Sequence, residues 1–141
     1  MADCGAMPKA PRSVIVHGLA HARAAAAAAA ALDVPVRIRS APGAAAYGGV
    51  GWFMEMIDIV RAEYPTARIE ASLDCADAPG HAMAALRRGA EMIRFHGTRT
   101  TNPKIAALAV SHGAMLDTAR AAPLDLFGIA DPERACLDWL G

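Results

Sequence analysis

Residues 68–97, RIEASLDCADAPGHAMAALRRGAEMIRFHG, constrain the fold of this chain more than any other stretch. Ile69, Ala71 and Leu73 alternate with Glu70, Ser72 and Asp74, the two-residue period of a strand with one apolar and one polar face. Asp77 is placed to cap the next helix, and Pro79 suits its first turn. Met83 and Leu86 give that helix a core face, and Gly89 can end it. Ile93 and Phe95 then alternate with Arg94 and His96. A strand, a helix and a strand in so short a span imply two parallel strands joined by a crossover.

The same unit recurs along the chain. Residues 13–17 (SVIVH) read as the first strand and 19–32 as an Ala-rich helix, whose small side chains let it lie close to a sheet. Residues 36–40 (VRIRS) put Val36 and Ile38 on one face and Arg37 and Arg39 on the other. Residues 41–51 (APGAAAYGGVG) form a Gly-rich loop that opens a helix over 52–64. Trp52, Phe53, Met56, Ile57 and Val60 make its apolar stripe, and Pro65 ends it. Asn102 and Pro103 read as cap and first turn of a fourth helix ending at Gly113. Residues 114–117 (AMLD) read as a short strand and 124–127 as a further strand or extended piece. Asp131 and Pro132 open a last helix to Leu140, with Ala135, Leu137 and Trp139 as packing candidates. Residues 1–12 are expected to be a loose tail, and 13–141 a single α/β domain.

Composition narrows the function classes. Apolar residues make up 55% of the 141, with mean hydropathy +0.25, which excludes general disorder. Fourteen Lys and Arg balance fourteen Asp and Glu, so there is no basic surface to favour nucleic acid. A balanced chain also favours self-association, and a homo-oligomer, a dimer, is expected. The three cysteines, Cys4, Cys75 and Cys136, are an odd number without metal-type spacing, which fits a reducing compartment. Residues 1–12 lack the apolar core of a signal peptide, and the Ala run is too short and weakly apolar to span a bilayer. A cytoplasmic protein with no membrane partner is expected.

The polar faces choose between two parallel folds. A doubly wound sheet is covered by helices on both faces, so its central strands read as continuous apolar runs. Only residues 14–16 read that way. The other strands carry Arg37 and Arg39, then Glu70, Ser72 and Asp74, then Arg94 and His96 on one face. So many charges are costly to bury under helices. The opposite signs also suit neighbours in the order 1-2-3-4. The expected fold is therefore a parallel sheet of four to five strands, half-TIM-barrel-like, with helices on one side and a polar interior on the other. A closed barrel needs about 200 residues or more. The alternative is a flavodoxin-like three-layer sandwich, with order 2-1-3-4-5.

Three segments, 13–40, 43–54 and 67–97, resemble the first half of a class II fructose-bisphosphate aldolase, a metal-dependent (β/α) barrel enzyme. The resemblance lies in VPVRIRSAPGAAAY after the first helix, then IEASLDCADAP, then RRGAEMIRFHG. It implies that Asp74 matches the family's catalytic Asp. Cys75 stands where that family has a zinc-binding His, and His96-Gly97-Thr98 replaces its Asp-Gly-Ser. The family's remaining zinc ligands and main phosphate loops belong to the second half of the barrel. The resemblance thus implies the fold more than aldolase activity in this chain.

Ligands of parallel α/β sheets collect at the carboxyl ends of the strands. His17, Arg39, Ser40, Asp74, Cys75 and His96 all fall there. Asp74 could serve as a base or hold a substrate hydroxyl, and Cys75 as a nucleophile or thiolate ligand, with His96 beside them. His17, Arg39 and Ser40, with the backbone of Gly48 and Gly49, are expected to bind a small phosphorylated or carboxylated ligand. Imidazole and thiolate suit a divalent metal such as zinc, although no spacing demands one. The structural readings of these residues are an ion-paired Asp, a packed Cys and a flexible turn. Two functions stand open: an aldolase-like ligand-binding half-barrel with lyase or isomerase-type chemistry, or a non-enzymatic homo-oligomeric structural or regulatory protein.

Overall fold

A computed structural model describes residues 10–47 and 49–141. In chain order the elements are β1 (Arg12–Val16), α1 (Leu19–Leu32), β2 (Val36–Ser40), α2 (Ala44–Tyr47), α3 (Gly49–Glu63) and β3 (Ile69–Asp74). They continue with α4 (Pro79–Arg87), β4 (Met92–Arg94), α5 (Thr101–Ser111), β5 (Met115–Leu116), β6 (Leu124–Asp125) and α6 (Pro132–Leu140).

The strands form one parallel sheet in the order β5-β4-β3-β2-β1-β6, open between β5 and β6. Five strands are adjacent in sequence order, as in a (β/α) barrel, and the flavodoxin-like order is excluded. The count is six rather than four to five, because β5 and β6 are both short strands. The charge argument holds in the register. Arg37 lies opposite Glu70, Arg39 opposite Ser72, and Asp74 opposite Arg94.

One face of the sheet carries the apolar core. Val14, Val16, Val36, Ile38, Ala71, Leu73 and Ile93 are buried there in one cluster with helix residues. The α1 alanines explain how this layer fits. Ala22, Ala25, Ala26, Ala28 and Ala29 are buried, and α1 packs on β1, β2, α3 and α6 together. A helix enclosed on so many sides needs methyl-sized side chains wherever backbones approach closely.

The α1 and β2 limits match expectation, and the Asp131 Oδ1 accepts from Arg134 N–H at the start of α6. Asp77 does not cap α4. Ala78 is the N-cap there, without a side-chain bond, and Pro79 starts the helix. Helix α5 begins at Thr101, ahead of the expected cap. Asn102 Oδ1 instead accepts from Gly97 N–H, tying down the preceding loop. The loop at 41–51 contains α2 and the first turn of α3. Strand β1 ends at Val16 and β4 at Arg94, so His17 and His96 stand just beyond their strands. On α6 the buried positions are Cys136 and Leu140, with Ala135, Leu137 and Trp139 flanking them.

The second face departs from the expectation that nothing of the same chain covers it. Arg37, Arg39, Ser72 and Asp117 are all buried. Their cover is not a helix. Residues 117–123 leave β5 at one edge and reach β6 at the other, crossing the polar face as a strap. Arg37 on β2 reaches Asp117 beside β5 at 2.8 Å. Three strand spacings on a flat sheet are about 14 Å, beyond the joint reach of an Arg and an Asp side chain. The sheet must therefore curl around its polar side, and this contact is the evidence for a half-barrel rather than a flat layer.

Replacing fully buried Ala25 by Leu should overpack the α1 layer and cost about 1–3 kcal/mol. Urea unfolding would read this as a lower midpoint at unchanged slope. An unchanged midpoint would contradict the close packing of α1.

Candidate functional site

Asp117 is the centre of the polar face. Its carboxylate accepts from Arg37 Nη1 at 2.8 Å, Ser72 Oγ at 2.8 Å, Arg39 Nε at 3.2 Å and the Ala119 N–H at 3.2 Å. Arg94 Nη1 stands further off at 3.4 Å and donates more closely to the Ala119 carbonyl at 2.9 Å. Arg39 Nη2 also donates to Ser13 Oγ, and Arg37 binds Glu70. Among the described residues every group in this network comes from a strand or the strap. Burial alone would raise the Asp117 pKa. The Ser72 and Ala119 bonds, with the Arg39 and Arg37 charges, outweigh it and hold the carboxyl below its ordinary value. Burial draws the Arg39 guanidinium down, Asp117 opposes this, and neighbouring Arg94 adds to it.

At the carboxyl ends of the strands, the residues singled out in the sequence fall into separate places. Ser40, Gly43 and Asp74 form one corner. Asp74 Oδ1 accepts from the Gly43 N–H at 2.9 Å and the Ala76 N–H at 2.8 Å, while Ser40 Oγ accepts from the Asp74 N–H. Gly43 has φ +71°, which suits glycine, and Ala76 holds φ +50° without that freedom. The Asp74 carboxylate bonds the turn that carries this strain. Its Oδ2 accepts no hydrogen bond among the described residues. Arg39 is not in this corner but deeper, in the Asp117 network. Gly49 opens α3 at φ +78°, and Gly48 lies outside the described residues.

Cys75 points away from the rim into the apolar core. Its Sγ lies 3.7 Å from the Leu73 carbonyl. Burial, assisted by the Asp74 charge, pushes its pKa up to about 12, so the thiol stays protonated near neutral pH. Cys136 is likewise buried and forms no disulfide among the described residues, and Cys4 lies outside them.

His17 belongs to a cluster that the sequence reading missed. Its Nε2 lies 2.7 Å from Asp125 Oδ1, and its backbone N–H donates to His21 Nδ1. Phe127 packs edge-on at 5.3 Å. Burial and the nearby His17 lower the His21 pKa, against the pull of Asp125. The partner of His17 comes from a two-residue strand over a hundred positions away, and no local pattern announces such a pairing.

His96 stands apart from both groups. It lines an open cleft of about 460 Å³ between β4, the start of α5 and the strap. Arg94, Asn102, Asp117, Thr118 and Arg120 share that lining. Arg120 is exposed and makes no ion pair among the described residues. The cleft thus presents two guanidiniums and an imidazole at the carboxyl end of the sheet. His17, Cys75 and His96 do not converge, and no group of three His, Cys, Asp or Glu side chains among the described residues could hold a metal ion. No helix among the described residues is long and apolar enough to cross a membrane.

No protein-family model matches the chain, and no curated protein matches it. A solved structure of a putative fructose-1,6-bisphosphate aldolase from Coccidioides immitis is similar, with a TM-score of 0.62 and 21% identity. The likeness covers 76% of this chain and 44% of that one, so this chain spans less than half the length of the protein it resembles. At that identity the likeness establishes an aldolase-like fold, in agreement with the half-barrel resemblance of the sequence.

A carboxylate with a depressed folded pKa adds stability above its unfolded pKa, and that stability is lost as pH falls through the folded value. The stability gap between wild type and D117N should therefore be full at neutral pH and shrink below about pH 4. Urea unfolding across pH would show it, and an equal gap at acid and neutral pH would contradict the network. In native protein, Cys75 and Cys136 should resist alkylation at mildly alkaline pH and react once unfolded, as read by peptide mass mapping.

Proposed function

We propose that this chain is an aldolase-like half-barrel that binds a small phosphorylated or carboxylated ligand at the carboxyl ends of its strands. The observation that carries this reading is the cleft where Arg94, Arg120 and His96 meet. Guanidinium groups suit oxyanions through paired N–H donors, and Arg120 has no carboxylate partner among the described residues to satisfy it. Residues 13–141 act in this reading as one domain. Asp74 is the candidate base for lyase or isomerase-type chemistry, because one of its oxygens is anchored and the other is uncommitted. Cys75 takes no chemical role here, since burial keeps it a neutral thiol.

Fructose 1,6-bisphosphate and inorganic phosphate are the probes. Each should bind wild type in calorimetric titration and shift amide resonances around Arg94, His96 and Arg120. R120A should weaken binding roughly tenfold, the worth of one charge-assisted hydrogen bond, with the fold intact. Any turnover of a sugar phosphate should vanish in D74N. Absence of binding by both probes at millimolar concentration would sink the reading.

A second reading, a homo-oligomeric structural protein, is favoured by the two sheet edges that pair with no strand among the described residues. Val110 and Met115 are exposed near β5, and Phe127 and Ile129 beyond β6. A dimer that M115D converts to monomer in sedimentation velocity, with no probe bound, would establish this reading over the first.

A further inference from the structure

We propose that the arginine-lined interior is an oxyanion site which the chain fills with its own Asp117 carboxylate, so that Asp117 competes with an external phosphate or carboxylate for Arg94. The inference deepens the cleft reading, since both involve Arg94, but it has its own test.

Three observations carry it. First, Arg37, Arg39, Ser72 and Arg94 come from three separate strands and direct their donors at one carboxylate. That carboxylate belongs to the strap, not to the framework that supplies the donors, apart from the Ala119 N–H. Second, the network is short of anions without it. Arg37, Arg39 and Arg94 would then face Glu70, which binds Arg37, and the charge of Asp74, which acts on Arg39 without a hydrogen bond to it. Asp74, the other carboxylate of this face, is engaged with backbone N–H groups. Third, the network meets the cleft through Arg94, whose side chain is 17% exposed, while the Asp117 side chain lies buried behind it. The Arg94 contact to Asp117 is the longest of the set at 3.4 Å. Arg94 Nε and Nη2 donate to no group among the described residues, so this guanidinium has capacity for a second anion. An anion entering the cleft meets the Asp117 charge at the same guanidinium, and each weakens the hold of the other.

The test uses inorganic phosphate at constant ionic strength on wild type and D117N, which keeps side-chain shape but removes the charge. D117N should bind phosphate about tenfold tighter or better, since a unit charge a few ångströms from the anion is gone. Equal or weaker binding by folded D117N would overturn the inference. D117A provides a second measurement. It should melt below wild type in chloride, and formate, the group deleted, should raise its Tm while leaving wild type unmoved. If D117A is unfolded in chloride, formate or phosphate should restore its helical circular dichroism, and no recovery would count against the proposal. Phosphate bound by D117N but not by wild type would defeat the cleft reading and leave this inference standing. Binding by wild type with no gain in D117N and no rescue of D117A would defeat this inference alone.

Discussion

The Asp117 carboxylate is the point on which the polar half of this molecule depends. Strands β1 to β4 supply arginines and serines to one side of the sheet, and these groups would be costly to bury without a common counter-charge. Asp117 provides it from the far edge. Its contact with Arg37 requires a curled sheet, and the curl brings Ser13, Arg39 and Ser72 into the same network. Curvature, strap and charge balance are thus one arrangement. The apolar face makes no comparable demand, because the α1 alanines would pack on a flat sheet as well.

Much of this was legible in the primary structure, for identifiable reasons. Two-residue alternation at 36–40 and 69–74 separated the faces, and the opposite signs of Arg37 and Glu70 placed their strands side by side. The polar row also argued correctly against helices on both sides. What could not be read was long-range closure. Nothing near Asp117 distinguishes it from any aspartate at the end of a short strand, and its side-chain partners lie 23 to 80 positions away. The same reasoning led to an uncovered polar face, because alternation reports which side is polar and says nothing of a loop that later crosses it. Cap assignments at Asp77 and Asn102 failed because the side chain that best suits a cap need not face the helix.

The candidate site was legible only in parts. Asp74, Ser40, His96 and His17 all lie at the carboxyl ends of the strands, as the parallel topology required. Period alone could not say that they occupy different stations along the rim. Cys75 illustrates the limit. It follows Asp74 directly, and for that reason alternation sends it to the opposite face, into the core. Arg94 was legible as part of the polar face, but its meeting with Arg120 depends on the strap lying against β4.

The pairing of β6 with β1 has a bearing on how the chain reaches this state. Arg12 Nη1 donates to the Trp139 carbonyl across 127 positions, and its guanidinium stacks over the Trp139 ring. During synthesis that edge of the first strand waits until β6, more than a hundred positions later, has emerged, and loop closure of that length is entropically costly. The docking of α6 onto α1 is therefore the longest-range packing of helices in this structure. Joining those two regions covalently and opening the chain elsewhere would turn the most distant encounter into a local one.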